Sequence, residues 1–257
     1  MARGSGTKLQ ATSGKLQATS RKLDKTAVQC YYVLQIKGER VMKTAEAFKI
    51  IGGSLSKPSK MPGWSIGLPA KECKTGSKLR QVKGSTCYDC YALKGCYVFK
   101  VVQDAQYRRL AAVSSSQWVE AMAHLINSKK PDVFRWHDSG DVQDLDHLNK
   151  IYEVCRLTPS KRHWLPTREA WIKDHVTRAP DNLIIRFSMP MIDQAAAGSW
   201  PNTSTVVTAG ATCPAPKQNN ECRDCRNCWN QASSDKHQAA SSKPQAKPEP
   251  SSGSSNI

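Results

Sequence analysis

Eight of the ten cysteines in this 257-residue chain fall into two groups of four, and their spacing constrains the fold more than any other feature. The first cysteine group is Cys73, Cys87, Cys90 and Cys96, and the second cysteine group is Cys213, Cys222, Cys225 and Cys228. Four thiolates saturate either a tetrahedral zinc ion or a cubane iron–sulfur cluster. Each group therefore predicts a metal-binding loop.

The second cysteine group favours an iron–sulfur cluster. Cys222-x-x-Cys225-x-x-Cys228 places three thiolates at the spacing that wraps a cubane, and the remote Cys213-Pro214 pair is typical of a fourth ligand. Structural zinc sites usually show two separated C-x-x-C knuckles, which this group lacks. Zinc is the alternative metal.

The first cysteine group is less regular and leaves two hypotheses open. Cys87 and Cys90 form a C-x-x-C knuckle, Cys96 follows after five residues, and Cys73 stands fourteen positions before Cys87. In one hypothesis all four thiolates close the metal site, which is then structural or carries electrons. In the other, Cys73 is not a ligand, and the cubane keeps an open iron that binds and activates a substrate, as an open zinc position does.

The composition is typical of a soluble globular protein, with 39% hydrophobic and 23% charged residues. No apolar run approaches the roughly 20 residues of a membrane span, and the N-terminus lacks the apolar core of a signal peptide. We therefore expect the cytoplasm of a bacterial host and no membrane partner. Because the cytosol keeps thiols reduced, we expect metal ligation rather than the alternative, a disulfide framework.

The formal net charge of +17 has two interpretations. A basic surface attracts the phosphates of nucleic acid, which makes nucleic acid a candidate partner. Alternatively, the basic residues offset the negative charge of eight metal-bound thiolates. Residues 31–230 hold +11 of the total, because residues 1–30 contribute +5 and residues 231–257 contribute +1.

Three regions are predicted along the chain. Residues 1–30 form a basic arm whose seven-residue repeat offers one leucine each time, too few apolar positions for a coiled coil, so we expect disorder. Residues 31–230 form the metal-binding α/β domain. Residues 231–257 are rich in Ser, Pro, Gln, Lys and Ala and are expected to be a disordered tail.

Strands and helices alternate through the central region. Strands are predicted at 31–36, 64–68, 132–136, 162–165, 182–187 and 203–208, and residues 41–50 fit a strand or a short helix. Apolar residues at helical spacing predict helices around 98–105, 118–126, 145–155 and 171–176. Because parallel neighbours need a crossover, this alternation predicts a partial parallel (β/α) barrel.

Polar side chains follow two consecutive predicted strands, and they are His137, Asp138, Asp141, Arg168 and Glu169. Ligand sites of parallel α/β folds lie at the carboxyl ends of the strands, so these five are candidate catalytic residues of a pocket that also receives the first cysteine group. His137 is suited to act as an acid, a base or a ligand. In the alternative, structural interpretation, Asp141 caps the next helix and Arg168 pairs with Glu169.

Four phrases carry a resemblance to a known family, namely SKPSKMPGW at 56–64, CYDCYALKGCY at 87–97, FRWHDSGD at 134–141 and HWLPTRE at 163–169. Roughly residues 54–230 resemble the gene product 88 family of phage and plasmid proteins, which implies a mobile-element context. The layout is also similar, more loosely, to radical S-adenosylmethionine enzymes. The C-x-x-C-x5-C spacing departs from the C-x-x-x-C-x-x-C of that superfamily, which counts against S-adenosylmethionine as a cofactor.

These observations support two hypotheses about function. The leading one is an iron–sulfur protein with two 4Fe-4S clusters, acting as a redox or radical enzyme on a substrate at the strand ends with an electron donor as partner. The alternative is a non-catalytic protein, stabilised by zinc or by a cluster, that binds nucleic acid through its basic surface.

Overall fold

The computed structural model describes residues 42–231 and the backbone of residues 239–241. The predicted basic arm, the strand predicted at 31–36 and most of the predicted C-terminal tail lie outside these residues. Among the helices in the described part of the chain, none is long and apolar enough to cross a membrane.

A parallel sheet with its strands in sequence order forms the centre of the fold. The strands are β1 (Trp64–Ile66), β2 (Val133–Trp136), β3 (Arg162–Thr167), β4 (Leu183–Ile192) and β5 (Thr203–Val206). Residues Ala239–Ser241 add a short parallel strand, β6, beside β5, in a region where the sequence predicted only tail. Within the described residues the first and last strands do not pair, so the sheet is open.

Five α-helices accompany the sheet: α1 (Thr44–Ile50), α2 (Lys74–Leu79), α3 (Lys100–Ala112), α4 (Trp118–Asn127) and α5 (Leu145–Leu157). Short 3-10 turns at Ala70–Glu72, Tyr91–Leu93 and Gly95–Val98 shape the loop of the first cysteine group. A longer 3-10 helix, Ala170–Arg178, connects β3 to β4. Further turns at Ala215–Lys217 and Asn227–Trp229 lie in the second cysteine group.

Helices α1, α4 and α5 share a hydrophobic core with one face of the sheet. The shared core includes residues from α4, α5 and the strands, among them Trp118, Met122, Leu148, Ile151, Phe134, Trp136, Leu165 and Ile185. Side chains alternate across a strand, so the neighbouring positions face the other side. That other side, which we call the arginine face, carries Ser65, Arg135, Trp164 and Arg186.

The mixed α/β architecture and the parallel pairing predicted from the sequence are confirmed. The segment 41–50, which fitted a strand or a helix, forms α1, and the helix predicted at 171–176 is of the 3-10 type. Asp141 does not cap α5, because the cap is Asp144, whose Oδ1 accepts a hydrogen bond from His147 N at 2.8 Å. The sheet is open, and its curvature into a partial barrel stays a prediction.

Gly140→Ala tests how closely the loop after β2 packs on the loop after β1. Gly140 has φ +82°, and a Cβ atom there would lie 2.6 Å from Leu68 Cβ and 2.9 Å from Leu68 O. Gly210 has a similar φ of +72° with nothing within 4 Å of an added Cβ atom, so Gly210→Ala is a matched control.

We expect both substitutions to lower the free energy of unfolding by roughly 1–2 kcal/mol through left-handed strain. Gly140→Ala should lose about 1–3 kcal/mol more because it overpacks the loop. Denaturant titration of both variants measures the difference, and equal losses would contradict close packing at this point.

Candidate metal centres and the rim of the sheet

The four thiols of the second cysteine group line one cavity of about 40 Å³, together with Arg186 and Trp229. Burial raises the pKa of Cys222, and the neighbouring Cys213 and Cys225 raise it further. Burial likewise raises the pKa of Cys228 to about 12. The structure thus brings together the four cysteines that the sequence grouped by spacing.

Arg186, on β4, is the cation beside this cavity and is 1% exposed. Its guanidinium donates to the carbonyl oxygens of Thr203 at 3.1 Å, Asn227 at 3.2 Å and Asn230 at 2.9 Å, while its Nε atom has no partner among the described residues. No carboxylate within residues 42–231 forms an ion pair with it. Burial lowers the pKa of Arg186, and Cys228 is the charged group that opposes this shift.

The second cysteine group lies over the arginine face, near the amino ends of β1, β2 and β3. Trp229 Nε1 donates to Phe134 O at 2.9 Å, and the Trp229 ring lies 5.3 Å from the Trp164 ring. Cys222 N donates to Lys60 O, in the loop before β1, at 2.9 Å. After β5 the chain therefore returns over the sheet instead of staying at the carboxyl ends of the strands.

The first cysteine group lies at those carboxyl ends. A Cβ atom added to Gly76 would lie 3.6 Å from Cys73 Sγ and 3.7 Å from Cys87 Sγ, so these two thiols are neighbours. Burial raises the pKa values of Cys73 and Cys90, and each is raised further by Cys87. Cys96 is exposed. In this arrangement Cys96, and not Cys73, stands apart from the other three thiols.

Neither cysteine group is in final ligating geometry. In the part of the chain that the structure describes, no group of three or more His, Cys, Asp or Glu side chains is arranged to hold a metal ion. The donor sets themselves, four thiols each, fit the coordination of zinc or of a cubane cluster.

The loops at the carboxyl ends of the strands form an edge that we call the rim. Asp141 holds two of these loops together. Its Oδ1 accepts hydrogen bonds from Thr167 Oγ1 and Val142 N, both at 2.8 Å, and its Oδ2 accepts one from Arg168 N at 2.9 Å. Burial raises the pKa of Asp141 to about 6 in spite of these hydrogen bonds. The carboxylate thereby joins the loop after β2 to the loop after β3.

Glu169 connects the same rim to the first cysteine group. Its Oε1 accepts a hydrogen bond from Thr75 N, and its Oε2 accepts one from Thr75 Oγ1, both at 2.9 Å. Trp171 Nε1 donates to Oε2 at 3.3 Å. Because α2 begins directly after Cys73, the bonds to Thr75 fix the position of that cysteine.

The structural interpretation of the sequence had Arg168 pairing with Glu169. In the structure Arg168 bonds to different partners. Its Nη1 atom donates to Ser188 O at 2.9 Å and to Met189 O at 2.8 Å, both on β4. The guanidinium lies close enough to Cys90 to oppose the rise of that thiol's pKa, which burial causes. Arg168 therefore joins β3 to β4 and places positive charge beside the first cysteine group.

Asp138 is the rim carboxylate with spare hydrogen-bonding capacity. Its Oδ2 accepts from Tyr97 OH at 3.4 Å, and its Oδ1 is buried with no partner among residues 42–231. The backbone carbonyl of Asp138 accepts from Tyr91 OH. Since both tyrosines belong to the loop of the first cysteine group, Asp138 faces that loop.

His137 points into the core instead of the rim. Its backbone has φ +58°, and its ring lies 5.2 Å from the His147 ring and 6.3 Å from the Trp136 ring. Neither ring nitrogen has a partner among the described residues. Burial, and next the nearby His147, hold the pKa of His137 well below its usual range, so the ring is neutral. Of the five candidate catalytic residues, the structure places only His137 away from the first cysteine group.

Arg135 was not singled out in the sequence, yet it lies between the two cysteine groups. Its Nη2 donates to Tyr91 OH, in the first loop, at 3.2 Å. Its positive charge opposes the rise in pKa that burial causes at Cys222 and Cys228 of the second group. A charged residue between Phe134 and Trp136 in a buried strand was the available signal, because such a position faces away from the core.

Comparison with family models finds a match to the model described as gene product 88, over residues 34–231. This chain belongs to the gene product 88 family. Comparison with curated proteins and with solved structures finds no match, so the looser likeness to radical S-adenosylmethionine enzymes gains no support there. The region matched to gene product 88 contains both cysteine groups, the rim and the arginine face.

Acid should destabilise this gene product 88 protein through His147. Burial lowers the pKa of His147 from 6.5 to about 4, so between these values the unfolded chain binds a proton that the folded chain excludes. Stability contributed by the neutral ring is present above pH 6.5 and is lost as pH falls toward 4.

Between pH 7 and pH 5 the expected loss from this residue is about 2 kcal/mol. Unfolding titrations at both pH values should show a shallower pH dependence for His147→Gln than for the unmodified chain. His124→Gln serves as the control, and an unchanged pH dependence in His147→Gln would contradict this assignment.

Proposed function

We propose that this protein is an iron–sulfur protein that binds a cluster at each cysteine group and acts as a redox enzyme. In this proposal the substrate binds at the rim, beside the first cysteine group. A separate electron donor supplies electrons to the cluster at the second cysteine group. The proposal treats the open sheet as an arc of a (β/α) barrel with the arginine face on its inner side. It places the protein in the cytoplasm of a bacterial host, where thiols stay reduced.

The observation that carries this proposal is the cavity in which four thiols meet a buried arginine. A buried guanidinium is costly unless an anion compensates its charge. Four thiolates outweigh the positive charge of the metal that they bind, so an occupied site would supply that anion next to Arg186. The three-thiolate run of the second group favours a cubane over zinc.

At the second group, Cys213, Cys222, Cys225 and Cys228 would hold the cluster, which supplies one-electron transfer when bound. Arg186 offsets the negative charge of the thiolates and fixes the loop through its bonds to Asn227 and Asn230. Trp229 is 3% exposed and closes one wall of the cavity against water.

At the first group, the rim supplies groups for binding and positioning a substrate. The hydrogen-bonded pair of Asp138 Oδ2 and Tyr97 OH is the candidate contact for a substrate. Asp141 and Glu169 act as positioning residues because all of their recorded contacts hold loops in place. The redox role of this site remains a proposal whose first requirement is the cluster itself.

Metal and sulfide analysis of protein purified without oxygen tests this requirement. We expect iron and acid-labile sulfide in the full chain, with Cys225→Ser losing about half of both because one of two clusters is lost. Cys30→Ser, outside both groups, should keep the full content. Stoichiometric zinc without sulfide after anaerobic reconstitution would contradict the proposal and favour the zinc-stabilised alternative.

Arg186→Gln should weaken metal binding at the second group by about 10-fold to 100-fold, as loss of a supporting contact around a metal site usually does. Arg186→Lys keeps the charge and should recover part of this loss. Arg156→Gln removes an exposed guanidinium that donates to Arg178 O, with no hydrogen bond within residues 42–231 to the second cysteine loop, and serves as the control. Chelator titration measures the affinity, and equal retention in all three variants would contradict a role for the buried charge.

A further inference from the structure

A cavity of about 390 Å³ opens beside the loop of the first cysteine group and is separate from the cysteine-lined cavity. Its volume lies within the range of roughly 300–1,000 Å³ typical of ligand sites. The loop after β1, helices α2 and α3 and the 3-10 turns between them form its wall. Five apolar residues share that wall with two cations, two aromatic rings and two amides, which are Lys71, Arg80, Tyr97, Tyr107, Gln103 and Gln106.

This set of groups matches the parts of a nucleotide. Lysine and arginine bind phosphate oxygens through charge-assisted hydrogen bonds. Aromatic rings stack on the faces of bases, whatever the sequence. Glutamine amides offer both a donor and an acceptor to the edge of a base. A simple anion would use only the two cations, and an apolar ligand would leave the cations and amides without partners.

The surface around the cavity carries more basic than acidic side chains, so it has a net positive charge. Residues 71–108 contain eight Lys or Arg and three Asp or Glu, and so carry +5 of the +11 in residues 31–230. Lys94 pairs with Asp89, and Lys100 pairs with Asp104. Within residues 42–231, no ion pair engages the remaining cations of this segment, Lys71, Lys74, Lys78, Arg80, Lys83 and Arg108.

The same segment exposes a concentration of aromatic rings. The exposed fraction is 54% for Tyr88, 55% for Tyr91, 60% for Phe99 and 43% for Tyr107. Tyr91 lies edge-on to Tyr97, 5.8 Å between ring centres, and Tyr97 lines the cavity. Exposed rings among unpaired cations are typical of surfaces on which unpaired bases stack.

We propose that this segment, residues 71–108, is a binding surface for single-stranded nucleic acid, with one base in the cavity and the flanking phosphates on the surrounding cations. A duplex keeps its bases stacked on each other and offers the exposed rings no free base faces, so single strands should be preferred. The inference rests on charge, exposure and the cavity, and it holds whichever metal the cysteines bind.

The first test measures binding of the full chain to labelled DNA and RNA of about 20 nucleotides, single-stranded and duplex, by fluorescence anisotropy. Single strands should bind more tightly than the duplex, and affinity should fall between about 50 and 200 mM salt because phosphate contacts release counterions. Residues 1–30 carry +5 and attract nucleic acid in every variant, so the comparison is always between full-length chains.

A double substitution, Lys71→Gln with Arg80→Gln, should make the salt dependence shallower. Each phosphate contact contributes about 0.7 to the logarithmic slope for single strands, so the slope should fall by about 1.4. Lys173→Gln with Arg178→Gln removes two exposed cations outside the surface and should leave the slope unchanged. Metal content and melting temperature of both variants establish that the fold is intact.

Substitutions of Tyr107 separate the contribution of base stacking to binding from that of charge. Tyr107→Ala should weaken single-strand binding about tenfold, because it removes one base–aromatic stack. Tyr107→Phe keeps the ring and loses only the hydrogen bond from its hydroxyl to Glu72 Oε1 at 3.0 Å, so binding should persist. Val101→Ala changes a side chain on the same helix that is 72% exposed, and it should have no effect.

Four results would overturn the proposal. They are an absence of binding at the lowest salt, equal salt slopes for the two double variants, a preference for duplex over single strand, and equal binding by Tyr107→Ala and Tyr107→Phe. Competition by a mononucleotide would also overturn it if, counted per nucleotide, the mononucleotide competes as well as the oligonucleotide does. The site would then serve a free nucleotide.

Discussion

Two guanidinium groups on one face of the sheet, the buried Arg186 and the half-buried Arg135, connect the parts of this molecule that bear on function. Arg186 is held by three carbonyl oxygens, two of them from the loop of the second cysteine group. Arg135 bonds to Tyr91 in the first loop and lies near the thiols of the second. Strands of an all-parallel sheet are usually apolar on both faces, because both faces are covered. Here the covering layer is a cysteine loop, and thiolates are the groups through which that layer can compensate buried cations.

The carboxylates of the rim have different roles. Asp141 and Glu169 each accept three hydrogen bonds, and together these bonds connect the loop after β2, the loop after β3 and the start of α2. A carboxylate whose acceptor positions are filled by fixed donors holds structure well and has little capacity left for a substrate. Asp138 accepts one side-chain hydrogen bond among the described residues, at Oδ2 from Tyr97, so it is the rim carboxylate with the fewest acceptor positions filled.

Local patterns predicted the elements of this fold, whereas the placement of the second cysteine loop and of two key side chains depended on long-range contacts. Alternating apolar runs and helical spacing located all five main strands, because burial on a sheet or along a helix leaves a periodic trace. The second cysteine group was recognisable from its spacing alone. Its position over the arginine face depends on the contact of Trp229 with Phe134, ninety-five residues away in the chain. His137 reaches the core through a positive φ that the sequence pattern does not predict. Arg135 had a sequence signal, its charge between two apolar strand residues, but its position between the two cysteine groups depends on the tertiary fold.

Tyr97 is the point at which the first cysteine group and the basic surface meet. Its hydroxyl donates to Asp138 on the rim, and its ring lines the cavity proposed for a base. Burial, and next the charge of Asp138, raise the pKa of the Tyr97 hydroxyl, so it stays protonated and keeps this hydrogen bond across the neutral range. A ligand that displaced the ring would thereby disturb a rim carboxylate and the loop between Cys90 and Cys96. Tyr97 therefore couples the proposed nucleic acid surface physically to the rim carboxylate beside the first cysteine group.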